Sequence, residues 1–453
     1  MDKPHQEERT VGYRTLVREN ANFRNLWFGQ IVSLLGDWFN LIASAALISR
    51  LTGSGLAIGG LFIVRFLAPF FISPLAGVIT DRYNRKHILI LTDLSRAGIV
   101  FAFLFVREPD DVWLLYFLTI LQLGISGIFF PARSALLPDI VSPDELGTAN
   151  ALSSTTWSVM LAVGAALGGL IAGGWGIYPA FTIDAITFLV SAVFITRIRY
   201  HPSAVSGDLR VQSSTIFDEY IDGLRFLTRK VDLLWISLHK AAWGLIAGGL
   251  FSVLIVQLSE DVFPIGEAGG ISLGLLYAVA GIGTGIGPIL ARRFTGDRER
   301  PVRVAIGLSY FITSAGLIIA SILTSLNVVL LGNFVRAFGG GINWVFSTML
   351  IFVLVPQRFR GRVLSTEFAF FTLASAFSSA LGGWALDQNS ITFQSILFWT
   401  GLLSIIPGLL WFLWIKNRGD QTNGEKAQQM ANHSDSSESV QAKPLQLDPE
   451  ARQ

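Results

Sequence analysis

The sequence predicts an all-α membrane protein that crosses the bilayer twelve times in two similar six-helix halves. Three observations carry that expectation: apolar runs of about 20 residues recur along the chain, basic residues collect in alternate connections, and the halves match at a fixed offset. With 51% hydrophobic and only 15% charged residues, the 453-residue chain has a mean hydropathy of +0.54, far above that of a soluble domain. Its 34 basic and 32 acidic residues nearly cancel, so the pI near 8.9 gives no reason to expect nucleic acid as a partner. The absence of cysteine excludes disulfides and thiolate chemistry.

The first half, 26–197, holds apolar runs near Leu26–Ser49, Leu56–Ile79, His87–Val106, Val112–Phe130, Ala149–Ala172 and Tyr178–Ile195. The second half, 232–415, holds Leu233–Leu258, Ala268–Leu290, Val302–Leu323, Val328–Val355, Val363–Leu386 and Ile391–Ile415. Between them, 198–231 reads as a cytoplasmic linker in which Phe217, Ile221, Leu224, Phe226 and Leu227 take helical spacing among charges, as in an interfacial amphipathic helix. Segment 1–25 is polar, carries no cleavable leader pattern, and leaves the first apolar run to act as the insertion signal. Segment 416–453 is polar and is expected to be disordered.

Arg82, Arg85 and Lys86, then Arg197 and Arg199, then Arg292 and Arg293, then Arg358 and Arg360 fall in connections on one side of this topology. The opposite connections hold only Arg50 and Arg107. Basic loops stay in the cytoplasm, so both termini are expected there and the protein in the cell membrane. An offset of 214 superposes Val141 on Val355, Gly147 on Gly361, and Ala166-Leu167-Gly168-Gly169 on Ala380-Leu381-Gly382-Gly383, which predicts two parallel repeats.

Between the second and third runs stands Gly77-Val-Ile-Thr-Asp81-Arg82-Tyr-Asn84-Arg85-Lys86. This resembles the signature loop of the major facilitator superfamily, with Asn84 where the family usually has Gly; Asn is among the few residues that tolerate a left-handed turn. The resemblance implies the major facilitator fold and a gating loop whose Asp81 docks against the start of the eleventh span, near Arg362 to Ser365, when the carrier faces outward. The matching loop of the second half, Gly287 to Arg293, keeps the glycine and the basic pair without the aspartate.

Gly164-Ala165-Ala166-Leu167-Gly168-Gly169 is similar to the antiporter motif of exporters in this superfamily, with Ala165 in place of the usual Pro. Small residues answer it in the eighth run (Gly274, Ala278, Gly281, Gly285) and the eleventh (Ala374, Ser378, Gly382), a pattern that suits close sliding contact or simple packing. Pro131 to Val141, Ala149-Asn150-Ala151-Leu152 and Arg360-Gly361-Arg362-Val363 look like the branch of macrolide-efflux proteins and enterobactin exporters. That resemblance implies a drug:proton antiporter type of carrier.

Ionisable residues inside the runs are costly in hydrocarbon and are the functional candidates. Asp37 lies roughly 16 Å from the cytoplasmic end of its run at 1.5 Å per residue, where a carboxylate can exist neutral or charged as a proton carrier must. Arg65, at a similar depth in the next run, is either its salt-bridge partner or a substrate contact. Glu367 is the second proton-coupling candidate. Lys240 and Arg336 are cations that can balance those carboxylates or hold an anionic substrate, with a snorkelling head group the plain alternative for Lys240. Asp93 and Arg96 are assigned to the Asp81 gating network, Asp184 to the outer mouth, and His239 to structure. Trp38, Phe62, Phe66, Trp243 and Trp344 either line an apolar cavity or pack.

The expected function is therefore export of a drug or secondary metabolite such as a siderophore, by alternating access with proton antiport. An importer or facilitator without proton coupling is the alternative, and a non-transporting receptor or a membrane-embedded enzyme is the alternative of another class. Neither a His-Glu-x-x-His pair nor a phosphate-cradling loop occurs. The expected partners are a small-molecule substrate, protons and lipid; no metal or cofactor is expected, and the chain is expected to be a monomer.

Overall fold

The structure, a computed structural model, describes residues 11–200, 225, 227–228, 231–296, 298–388 and 390–417. Nothing is described for the side chains of 73, 74, 77, 78, 81, 357, 358 and 361. The linker helix expected around 217–226 and the tail expected after Lys416 thus fall almost wholly outside the described residues, as does the docking of Asp81.

Among the described residues, twelve helices are long and apolar enough to cross a membrane. In the first half they are Ala21–Thr52, Gly55–Arg82, Arg85–Ala102, Val112–Ile140, Pro143–Gly174 and Ile177–Thr196. In the second they are Val231–Val262, Gly270–Thr295, Glu299–Ser321, Leu326–Leu354, Gln357–Leu386 and Phe393–Asn417. Each falls on one expected run, with ends that differ by a few residues and the fourth running on to Ile140. Their ends are set by local chemistry: Asn20 caps the first span by accepting from Phe23 N at 2.9 Å, and Gly53 ends it in the left-handed conformation that glycine tolerates. Asn84, in the signature loop, has φ −60° and is the N-cap of the third span, accepting from Lys86 N at 3.0 Å. A capping role, not a left-handed turn, accounts for Asn there. The seventh span is interrupted by π-helical turns at Gly244–Gly248 and Leu258–Val262.

Packing repeats between the halves. The second span lies against the fourth as the eighth does against the tenth, and the third against the sixth as the ninth against the twelfth. The fifth span crosses to the eighth, and the eleventh to the second, so two helix pairs join the halves. Phe71, Trp113 and Phe294, at 66%, 66% and 82% exposure, belong to an apolar outer surface suited to lipid, not water.

The joining pairs touch unevenly along their length. At the end opposite the basic loops, a Cβ on Gly169 would lie 2.6 Å from Gly274 Cα, and one on Gly383 2.5 Å from the Gly55 carbonyl. Contact persists to Gly281, whose Cβ would lie 2.8 Å from Ala162 Cα. One turn closer to the basic end, Gly285 has nothing within 4 Å. The fifth and eighth spans therefore splay apart toward the basic loops and close at the other end.

Candidate functional site

The ionisable side chains gather in two polar nests, one in each half. In the first half, Asp37 occupies the middle of a 32-residue helix. Its side chain is 28% exposed, and its carboxylate is 4.0 Å from the Arg96 guanidinium. Arg96 also pairs with Asp93 one helical turn away, and its guanidinium is sandwiched between the rings of Phe129 and Phe188 at 4.5 and 4.2 Å. Sequence reasoning assigned Asp93 and Arg96 to the Asp81 gating network; they are 0% and 2% exposed and make their contacts beside Asp37. Packing of the third span on the sixth turns that face inward.

Asp184 is a second correction. Expected at the outer mouth, it is 0% exposed and faces Asp37, Asn40 and Thr187. Gly36 permits the approach, because a Cβ there would fall 2.2 Å from Asp184 Oδ1. Nor is Arg65 the salt-bridge partner of Asp37: it forms no ion pair among the described residues and is only part-buried, between Asp37 and Tyr277 of the eighth span. The adjacent helices do not bring those two charges together, whereas the third span, not adjacent in sequence, supplies the cation.

In the second half, Lys240 Nζ donates to Glu367 Oε2 at 2.7 Å and to Thr348 Oγ1 at 2.6 Å, under the Trp344 ring at 4.5 Å. Lys240 thus turns inward to a buried partner and does not snorkel. Arg336 is bound by Asn333 Oδ1 at 3.0 Å and the Ala247 carbonyl at 3.0 Å, and lies on Phe251. His239 contacts the Tyr310 hydroxyl at 2.9 Å and stands edge-on to Trp411.

Aromatic residues bridge the halves above these nests. Trp38 lies 5.7 Å from Tyr277, and Phe66 meets Phe371 edge-on at 6.0 Å, with Trp344 on the far side of Phe371 at 5.1 Å. Phe62 is 4% exposed and packs in the core, while Trp243 lies over Gly340. The antiporter-like motif is divided: Gly164 and Gly168 seat Trp38 and Phe39 of their own half, while Gly169 and the Ala165 carbonyl meet Gly274 of the other half.

Of the gating loop, Arg85 binds Asp139 at 2.6 Å and Lys86 binds the Thr196 and Ile198 carbonyls, all within the first half, while Arg82 is exposed. Gly270-Ile-Ser272-Leu-Gly274 has the spacing of a nucleophile elbow, which sequence reasoning passed over. It opens a membrane helix with no strand before it, and Ser272 donates to the Phe263 carbonyl. No group of acidic, His or Cys side chains among the described residues can hold a metal.

Two six-helix bundles joined by two helix pairs, with buried charges and an aromatic-lined middle, define a membrane carrier, not an enzyme. The chain belongs to the Major Facilitator Superfamily, whose profile matches residues 26–366 and 272–447. It is 27% identical over 416 residues to the MFS-type transporter YfiS of Bacillus subtilis (strain 168), covering 88% of this chain and 94% of that protein. The putative bacilysin exporter BacE of the same organism is 28% identical, covering 64% of this chain and 69% of that protein. Macrolide efflux protein A of Streptococcus pyogenes is 24% identical, covering 54% and 58%, which agrees with the efflux branch. The solved nucleoside transporter NupG shares the fold, with a TM-score of 0.68 at 12% identity, covering 87% of this chain and 99% of that structure.

Proposed function

We propose that this transporter exports small amphipathic molecules from the cytoplasm in exchange for protons, by alternating access, with both termini in the cytoplasm of a bacterial-type cell. The observation that carries the reading is Asp37: a part-exposed carboxylate midway along a membrane-spanning helix, beside a buried Arg96. Occupancy of its proton changes the net charge of the first-half nest by one, enough to bias which side the carrier opens. Splayed spans at the basic end and close-packed glycines at the other supply one of the two states such a cycle needs. Relatives named as exporters favour the outward direction over import.

Proteoliposomes with an imposed pH gradient test it, with ethidium as the transported cation. Wild type should concentrate ethidium against its gradient, and Asp37→Asn should lower driven transport by about a hundredfold or more while leaving downhill exchange. Driven transport at the wild-type rate in Asp37→Asn would sink the coupling role. Facilitation without coupling would show as equal rates with and without the gradient.

A further inference from the structure

Among the fully buried charged residues that are described, Asp184 stands apart. Asp93 pairs with Arg96, Glu367 with Lys240 and Arg303 with Glu299, and Arg336 is held by Asn333 and a carbonyl. Asp184 is 0% exposed, has no ion pair, and neither of its carboxylate oxygens closes a hydrogen bond of normal geometry. The first span brings Gly36, Asp37 and Asn40 to it, the third Arg96, and its own helix Thr187; Arg65 of the second span is the next charge. The fifth span, also packed on the sixth, carries its acidic pair Asp144 and Glu145 in its first turn, at the basic end.

A carboxylate removed from water with no ion-pair partner, and only the neutral Asn40 and Thr187 side chains beside it, is far costlier ionised than protonated. We infer that Asp184 is a proton-holding carboxylate behind Asp37, and that the two share one exchangeable proton. In the transfer, the O–H bond on Asp184 breaks as one forms on the Asp37 carboxylate, and the negative charge passes the other way with no net charge created. Their positions divide the work. Asp37 is 28% exposed, and Asp184 has no exposure of its own. Arg96, 4.0 Å from Asp37 and bound to Asp93, is the fixed cation that stabilises whichever of the two is ionised. The inference rests on the coupling proposed for Asp37 and adds the group that stores the proton.

Infrared spectroscopy of the full chain in lipid tests it. At neutral pH the wild type should show a buried protonated-carboxyl C=O band, absent from Asp184→Asn and kept in Asp37→Asn. If Asp184→Asn does not insert, Asp184→Glu identifies the band by displacing it. In D2O the band should exchange at least about tenfold more slowly in Asp37→Asn than in wild type, because the carrier on its path is gone. A band unaltered by substitution of Asp184, or an unchanged exchange rate in Asp37→Asn, overturns the inference. Failure of the Asp37 coupling is read separately, as unchanged gradient-driven ethidium transport, so the two failures are distinguishable.

Discussion

Asp387, at the end of the eleventh span, accepts a hydrogen bond from the backbone N–H of Gly55, at the start of the second, at 2.6 Å. The same carboxylate takes the Leu56 N–H at 3.1 Å and the Ser54 hydroxyl at 3.0 Å, so one half caps a helix N-terminus of the other. Arg50 and Glu267 add an ion pair between the halves on the same side. These contacts join the halves at that end, and under the alternating access proposed here they would have to break for it to open.

The Asp387 cap yields the first prediction. Asp387→Ala should weaken the closed end by about 1 kcal/mol, the usual worth of a helix cap, and shift the closed-to-open ratio about fivefold. The chain has no cysteine, so Ala172→Cys, at a position with 0% exposure near the closed end, reports opening through its rate of labelling by a membrane-impermeant maleimide. An equal labelling rate with and without Asp387 would mean that the cap follows closure and does not maintain it.

Two glycines of the joining pair should behave oppositely. Gly169→Ala drives a methyl to 2.6 Å from Gly274 Cα, and since both neighbours are backbone the overpacking should cost about 1–3 kcal/mol of closed-end stability. Gly285→Ala meets nothing within 4 Å and should leave the Ala172→Cys labelling rate unchanged. If both variants label alike, the splay between the fifth and eighth spans is wrong.

Legibility in the sequence followed the physics of each feature. The spans were readable because hydrocarbon demands about 20 apolar residues and nothing else in a chain of this kind produces them. Asp37 was readable because depth along one helix is a matter of counting. Asp184 was not: its surroundings come from the first and third spans, and which helices meet is settled by packing that no single run encodes. How the antiporter-like motif divides between packing and inter-half contact has a simpler reason. Neighbouring residues on a helix point about 100° apart at 3.6 residues per turn, so Gly168 and Gly169 face different halves.

Topology gives a third prediction, from the basic residues at one end. A reporter that fluoresces only in the cytoplasm should light when fused after Lys416 or inserted within 203–214, and stay dark when inserted between Ser259 and Glu267. Fluorescence from the last site would reverse the orientation on which export depends.

The pair in the second half carries the last prediction. Lys240 and Glu367 are 5% and 2% exposed and 2.7 Å apart, so each supplies the other's charge compensation away from water. Lys240→Met keeps the length of the side chain and strands an ionised Glu367, which should cost about 3–5 kcal/mol and lower the melting temperature of the detergent-solubilised protein. Adding Glu367→Gln removes the stranded charge and should restore most of the loss, because an apolar or neutral replacement of both partners is tolerated where loss of one is not. The deficit of the single variant should shrink as pH falls, since a protonated Glu367 leaves no charge behind, while the double variant should show no such dependence. Melting of Lys240→Met at the wild-type temperature at neutral pH would show that Glu367 is already neutral there, and would move the structural weight of this nest to Thr348 and the Trp344 ring.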